Sequence, residues 1–202
     1  MAARKRGAQR IAGLDEVGRG PLFGPVVAAA VILPRGCCLQ DLTDSKQLSE
    51  KKRERLDTQI RACAVAYAIA AVDAETIDRI NIRRASLEAM RRAVMQLAQE
   101  PDFLLPDFLL IDGCDTIEWD CPQQAVIQGD ATSFSIAAAS VLAKVHRDRM
   151  MQEFDVAFPG YGLAQHKGYC SPQHMEALAR LGPTPLHRRS FQPVAQSALR
   201  FD

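Results

Sequence analysis

A chain of 202 residues with 48% hydrophobic content and a formal net charge of +1 has enough apolar material for one sizeable core and is not strongly basic. That composition excludes a chain disordered as a whole and confines any nucleic-acid surface to one face of the molecule. The basic N-terminus has no apolar h-region behind it, and no run approaches the roughly 20 apolar residues that a membrane span requires, so a cytoplasmic protein with no membrane partner is expected.

Residues 1–9 read as a disordered arm, locally basic through Arg4, Lys5 and Arg6. Arg10 to Val17 reads as a first strand and Val26 to Leu33, an uninterrupted run of small apolar residues, as a second, with a glycine-bearing turn between them that predicts a hairpin. Thr43-Asp44-Ser45-Lys46 falls in a loop. Ser49 is a suitable N-cap for a charged helix running to about Ile60. Ala62 to Val72 alternates as a third strand. Three strands followed by helices predict an antiparallel start to a mixed sheet.

Asn81 to Gln99 carries Ile82, Leu87, Met90, Val94 and Leu97 at helical spacing, a stripe that reads as core contact. Phe108 to Ile111 is a short apolar strand delivering Asp112-Gly113, and Ala125 to Ile127 is another, closed by Gly129-Asp130. Ser133 to Leu142 is uncharged and alanine-rich, so a helix close against the sheet is expected, emerging at Lys144 to Arg149. Ser171-Pro172 starts a last helix to about Leu181. His187 to Phe191 belongs to a basic, proline-bearing tail.

The chemistry centres on Asp15-Glu16-Val17-Gly18-Arg19-Gly20. Consecutive strand residues face opposite ways, so the two acids share a site only if the strand ends there, and the glycines supply an ending. Two neighbouring carboxylates repel and need a cation; oxygen-only ligands suit magnesium or manganese. Asp112 and Asp130 also stand at the ends of apolar elements, where ligands collect in open sheets. Each has a bland alternative, a turn pair for Asp112-Gly113 and a helix N-cap for Asp130. Four such acids together point to divalent metal. The dinucleotide fingerprint fails at Phe23 and the P-loop is absent. Six cysteines without C-x-x-C spacing, and four histidines out of register with them, favour reduced thiols over disulfides or zinc.

Asp-Glu-Val-Gly-Arg-Gly at 15–20, Asp-Ser-Lys at 44–46, Asp112-Gly113, Gly-Asp-Ala at 129–131, Ser-Ile-Ala-Ala-Ala-Ser at 135–140, Lys144 with Arg147-Asp148-Arg149, His-Lys-Gly-Tyr at 166–169 and His187 to Phe191 resemble, in order and over nearly the whole chain, type 2 ribonuclease H, specifically its bacterial ribonuclease HII branch. The resemblance implies an α/β fold: a single domain with a ribonuclease H-like mixed β-sheet flanked by helices, and a helical C-terminal part over about 171–202.

It also implies an endoribonuclease that cuts RNA–DNA hybrids and the 5′ side of single ribonucleotides in duplex DNA, as in ribonucleotide excision repair. Asp15, Glu16, Asp112 and Asp130 would hold two Mg2+ or Mn2+ ions. Gly18, Arg19 and Gly20 would read the 2′-hydroxyl, Tyr169 would stack on the sugar beyond the junction, and Lys46 would meet phosphate. A monomer is expected, with replication machinery as a further partner. The related ribonuclease HIII branch resembles Gly-Thr-Gly at the turn, whereas position 19 here is Arg. Where the family continues His-Lys-Gly-Tyr with Gly-Thr, this chain has Cys170-Ser171. A metal-dependent DNA nuclease and a non-catalytic hybrid-binding protein are the alternatives.

Overall fold

The structure is a computed structural model that describes residues 7–97 and 105–198. Strands β1 (Ile11–Val17), β2 (Val26–Ile32), β3 (Ala66–Val72), β4 (Phe108–Asp112) and β5 (Gln123–Val126) form one sheet in the order β3-β2-β1-β4-β5. The first three run antiparallel, and β4 and β5 run parallel to β1. The expected mixed sheet is therefore present. Helices α1 (Glu50–Cys63), α2 (Ala74–Ile80), α3 (Ile82–Leu97), α4 (Gly129–Thr132), α5 (Phe134–Ala157), α6 (Leu163–His166), α7 (Pro172–Leu181) and α8 (Gln192–Ala198) complete the order.

Alternation along β2 builds two cores at once. Val26, Ala28, Ala30 and Ile32 face a cluster with Ala85, Ala89, Met90 and Val94 of α3, while Val27, Ala29 and Val31 face Ala138, Val141 and Leu142 of α5 with Leu56 and Ile60 of α1. A wholly apolar strand is what a sheet covered on both faces requires. The small residues have a reason too: a Cβ on Gly13 would lie 2.2 Å from the Ser135 carbonyl carbon, so α5 crosses β1 at backbone contact. A third cluster joins Leu22 and Phe23 to Tyr161, Leu163, Leu178 and Val194 of the C-terminal helices.

Several expectations change. Strand β3 begins at Ala66 because α1 continues to Cys63, with Ile60 fully buried. Helix α2, capped by the Asp73 side chain accepting from the Thr76 N–H at 2.7 Å, was not expected. Helix α5 does not emerge at Lys144: Arg147, Asp148 and Met151 are still buried. Of the expected arm, residues 1–6 lie outside the described residues, while Ala8 is buried and the Gln9 and Arg10 N–H groups donate to Asp107. The expected end of the α3 segment at Gln99 also lies outside them. The stretch around His187 is no solvated tail, since His187 and Arg188 are 1% and 0% exposed. Among the described residues no helix is long and apolar enough to cross a membrane.

Candidate active site

Strand β1 does not end at its acids. It runs on to Val17 paired to β2, but its pairing with β4 stops at Leu14–Ile111. One step beyond that pair, Asp15 and Asp112 leave neighbouring parallel strands on the same side, the α5 side, because Leu14 and Ile111 belong to the opposite core. Asp112 Oδ1 accepts from the Gly129 N–H at 2.7 Å, which brings the start of α4, and with it Asp130, to the same place. A Cβ on Gly129 would lie 2.5 Å from Ile136 Cδ1 and 3.2 Å from that carboxylate oxygen. Asp130 does not take the bland alternative of a helix N-cap, a position that Gln128 occupies. It is the second residue of α4, behind a left-handed Gln128, and its carboxylate is turned to Lys46 Nζ at 3.6 Å.

The electrostatics of the group show how closely the acids meet. Burial, then the charges of Glu16 and Asp112, push the Asp15 carboxyl well above the usual carboxylate range, against hydrogen bonds from Ser140 and from the Glu16 N–H at 2.7 Å. Burial raises Glu16 as well, opposed by Arg19, whose Nη1 donates to Glu16 Oε1 at 3.1 Å. Asp130 is raised by burial, Asp44 and Asp112, opposed by Lys46. Lys46 in turn loses some of its tendency to charge through partial burial, but Asp130, Asp44, Asp15 and Asp112 together outweigh that and raise it.

A group of carboxyls in which burial and neighbouring charge penalise the ionised forms of Asp15, Glu16 and Asp130 suits a hard divalent cation. Among the described residues no three acid, histidine or cysteine side chains already close round one point. Each acid is instead tethered through one oxygen to an N–H or a cation of the protein.

The Gly-Arg-Gly turn stands beside these acids, and its two glycines do different work. Gly18 has φ +92°, and a Cβ there would lie 2.2 Å from Arg147 Nε, so its hydrogen faces inward. Gly20 is open outward: an added Cβ would first meet Tyr169 Cε1 at 3.4 Å, ordinary contact. The Tyr169 ring, 47% exposed, therefore lies against the turn. Cys170 is outside the left-handed region, while Lys167 and Gly168 before Tyr169 occupy it. Lys46 is presented by a 3-10 turn, Ser45–Gln47, in which Asp44 Oδ1 accepts from the Lys46 N–H at 2.9 Å and Ser45 Oγ contacts Ser140 Oγ at 2.7 Å.

What sequence reasoning missed is the support beneath the turn. Arg188 donates to the carbonyls of Gly18 (2.6 Å), Arg19 (2.9 Å) and Gly24 (2.9 Å). Arg147 donates to those of Phe23 (3.1 Å), Pro25 (3.2 Å) and Lys167 (3.0 Å), so it is neither solvated nor a phosphate contact in this structure. Burial pushes these guanidiniums down to about 9 and about 10. Asp44 and Ser140 were missed as neighbours of the acids, although both lie within motifs visible in the sequence.

A clean contrast follows for the two glycines. Gly18→Ala is expected to lower the melting temperature markedly, because it must displace Arg147 and strain a left-handed position. Gly20→Ala should stay within about 0.5 kcal/mol of wild type by chemical denaturation, so that any loss it shows on substrate reports recognition.

The sequence profile described as Ribonuclease HII matches residues 12–194. A curated relative named Ribonuclease HII, from Geobacter metallireducens, is 53% identical over 192 residues, spanning 95% of this chain and 88% of the relative. Among solved structures, the ribonuclease H2 of Pyrococcus horikoshii OT3 superposes with a TM-score of 0.78 at 24% identity, over 95% of this chain and 98% of that one, a likeness of fold. The RNase HII of Archaeoglobus fulgidus, solved in a PCNA:RNase HII complex, gives 0.73 at 25% identity over 91% and 95%. With the profile matched over residues 12–194 and 53% of 192 aligned residues shared with a relative covered to 88%, the chain belongs to the ribonuclease HII family, whose members are metal-dependent endoribonucleases.

Proposed function

We propose that this protein hydrolyses the RNA strand of RNA–DNA hybrids and cuts on the 5′ side of a ribonucleotide embedded in duplex DNA, leaving 5′-phosphate and 3′-hydroxyl ends. The observation that carries the reading is the juxtaposition of Asp15, Glu16 and Asp130, each raised by burial and in part by the charge of Asp112, with a Gly-Arg-Gly turn that has an exposed tyrosine ring against it. Two divalent ions, magnesium or manganese, would supply Lewis acidity and activate the attacking water.

The chain's own residues do the rest. Asp15, Glu16, Asp112 and Asp130 would hold the cations, whose charge would offset the repulsion that Asp112 exerts on the other three. The outward side of Gly20 lets backbone approach the 2′-hydroxyl, the group that separates RNA from DNA at a given position, and the Arg188 clamp on the Gly18 and Arg19 carbonyls keeps that backbone in one conformation. Tyr169 stacks on the neighbouring sugar. Lys46, its side chain 78% exposed, meets phosphate, and Arg19, its side chain 53% exposed, reads the 2′-hydroxyl with Gly18 and Gly20. We place the activity in the cytoplasm, in a monomer of one domain serving ribonucleotide excision repair. The PCNA complex of the Archaeoglobus fulgidus relative supports a replication-machinery partner.

The test is cleavage of an end-labelled DNA duplex containing one ribonucleotide, with magnesium or manganese, beside an all-DNA duplex. A single product ending 5′ to the ribonucleotide, absent from the control, is expected. Equal cutting of the control would make the protein a general nuclease, and tight binding without cutting a hybrid-binding protein. In the same assay Arg19→Ala should weaken binding of the ribonucleotide duplex relative to all-DNA by about tenfold while leaving metal binding intact; an unchanged ratio would remove Arg19 from recognition.

A further inference from the structure

Under the exposed ring of Tyr169 lies a line of imidazoles that the reaction as derived above does not use. His174 is 0% exposed and His187 1%. His187 Nδ1 stands 3.0 Å from the Thr184 N–H, a group that can only donate, so this nitrogen accepts and the proton of the neutral ring sits on Nε2. That Nε2–H points at His174 Nε2, 3.1 Å away, which must then accept. The remaining nitrogen of His174, Nδ1, carries its proton and donates to the Tyr169 carbonyl at 2.9 Å.

A backbone amide at one end and a backbone carbonyl at the other therefore determine both tautomers and the direction of the chain. Adding a proton to either ring would set two N–H groups face to face, against Thr184 or between the rings. Burial acts the same way, pushing His174 down and His187 down to about 3. Both effects favour neutral rings, the state in which His174 Nδ1–H donates to the Tyr169 carbonyl. Phe23, edge-on to His187 at 4.8 Å, and the stacked ring of His166, 4.6 Å from His174, fix their orientation.

We propose that His187 and His174 are positioning residues for ribonucleotide recognition: their relay, running from Thr184 to the Tyr169 carbonyl, anchors that residue so that its ring is held against Gly20. The proposal rests on Tyr169 stacking on the substrate. The anchor matters because, although the Lys167 and Gly168 carbonyls before it accept from Arg147 (3.0 Å) and the Leu22 N–H (2.8 Å), Tyr169 itself stands before exposed Cys170 with only local backbone tethers besides: its N–H to the His166 carbonyl, and the Ser171 N–H to its carbonyl. His174 is the group that ties the loop to the buried C-terminal part.

The experiment combines nitrogen-15 NMR of the histidine rings with kinetics on the single-ribonucleotide duplex. The spectra of wild type should show His174 as the Nδ1–H tautomer and His187 as Nε2–H. His174→Ala should raise KM about 3- to 10-fold, the worth of one hydrogen bond, with a smaller change in kcat. His174→Asn, which keeps an N–H at the δ position, and His187→Gln, which keeps one at the ε position, should recover most of the loss.

In a Tyr169→Ala background His174→Ala should change nothing further. A His174→Ala effect of equal size in that background, or the opposite tautomers, would overturn the relay. A Tyr169→Ala effect without any His174→Ala effect would overturn the relay alone, whereas Tyr169→Ala with an unchanged KM would overturn the stacking reading and the relay with it.

Discussion

Asp15→Asn is expected to move stability and activity in opposite directions. The Asp15 carboxyl is held well above its ordinary range by burial and by Glu16 and Asp112, so the folded protein binds that proton more tightly than the unfolded chain does. Stability then falls as pH rises from the unfolded value, about 3.9, through the raised folded value, and stays reduced above it. Asparagine carries no charge and still offers an oxygen to the Glu16 N–H and Ser140. Without metal at pH 7 the variant should therefore melt higher than wild type, with the difference vanishing below about pH 4. Cleavage should fall about 10³-fold, because the several kcal/mol of charge stabilisation that a metal provides is forfeited at tenfold per 1.36 kcal/mol. A variant that melts lower than wild type at pH 7 would show that Asp15 is paired rather than repelled in the metal-free protein.

Arg188→Met should be the most destabilising single change in the recognition loop. Methionine fills much of the same volume but donates nothing, and the carbonyls of Gly18, Arg19 and Gly24 lose their partner. An unsatisfied buried group costs about 1–3 kcal/mol. Against this stands the relief of a buried charge that has no carboxylate bonded to it, since Asp78 spends its oxygens on the Arg189 and Ser190 N–H groups and the Ser190 hydroxyl. Three carbonyls outweigh one desolvated cation already saturated with hydrogen bonds, and a net loss of about 3 kcal/mol in denaturant unfolding is expected. Discrimination between ribonucleotide and all-DNA duplexes should fall with it. An unfolding midpoint unchanged from wild type would show that the loop satisfies its carbonyls without Arg188.

How far the sequence could be read depended on the range of the interactions. Strands β1, β2 and β4, the α3 stripe and the Ser171-Pro172 start of α7 are written in local pattern, and each stands within a few residues of where periodicity puts it. The acids were legible because apolar elements delivered them. Helix α2 carried a usable signal in Asp73 and Glu75 but is only seven residues long. Nothing local, however, separates Arg188 from Arg189: one is fully buried among carbonyls up to 170 positions away and the other is exposed. The same holds for Gly18 and Gly20, alike in sequence, where only Arg147 from the middle of α5 tells the inward glycine from the outward one. A charge neutralised by distant backbone leaves no periodicity to find.

The most direct test is calorimetric titration of manganese into the wild-type protein and into Asp15→Asn, near pH 6 in two buffers of different ionisation enthalpy. Carboxyls whose proton affinity is raised by burial and by neighbouring charge, as in Asp15, Glu16 and Asp130, release protons when a cation binds. Wild type should bind the metal with measurable proton release that diminishes as pH rises, and the variant should bind it far more weakly. Equal binding by both proteins, or wild-type binding with no proton release at any pH, would contradict a metal centre built on Asp15, Glu16, Asp112 and Asp130.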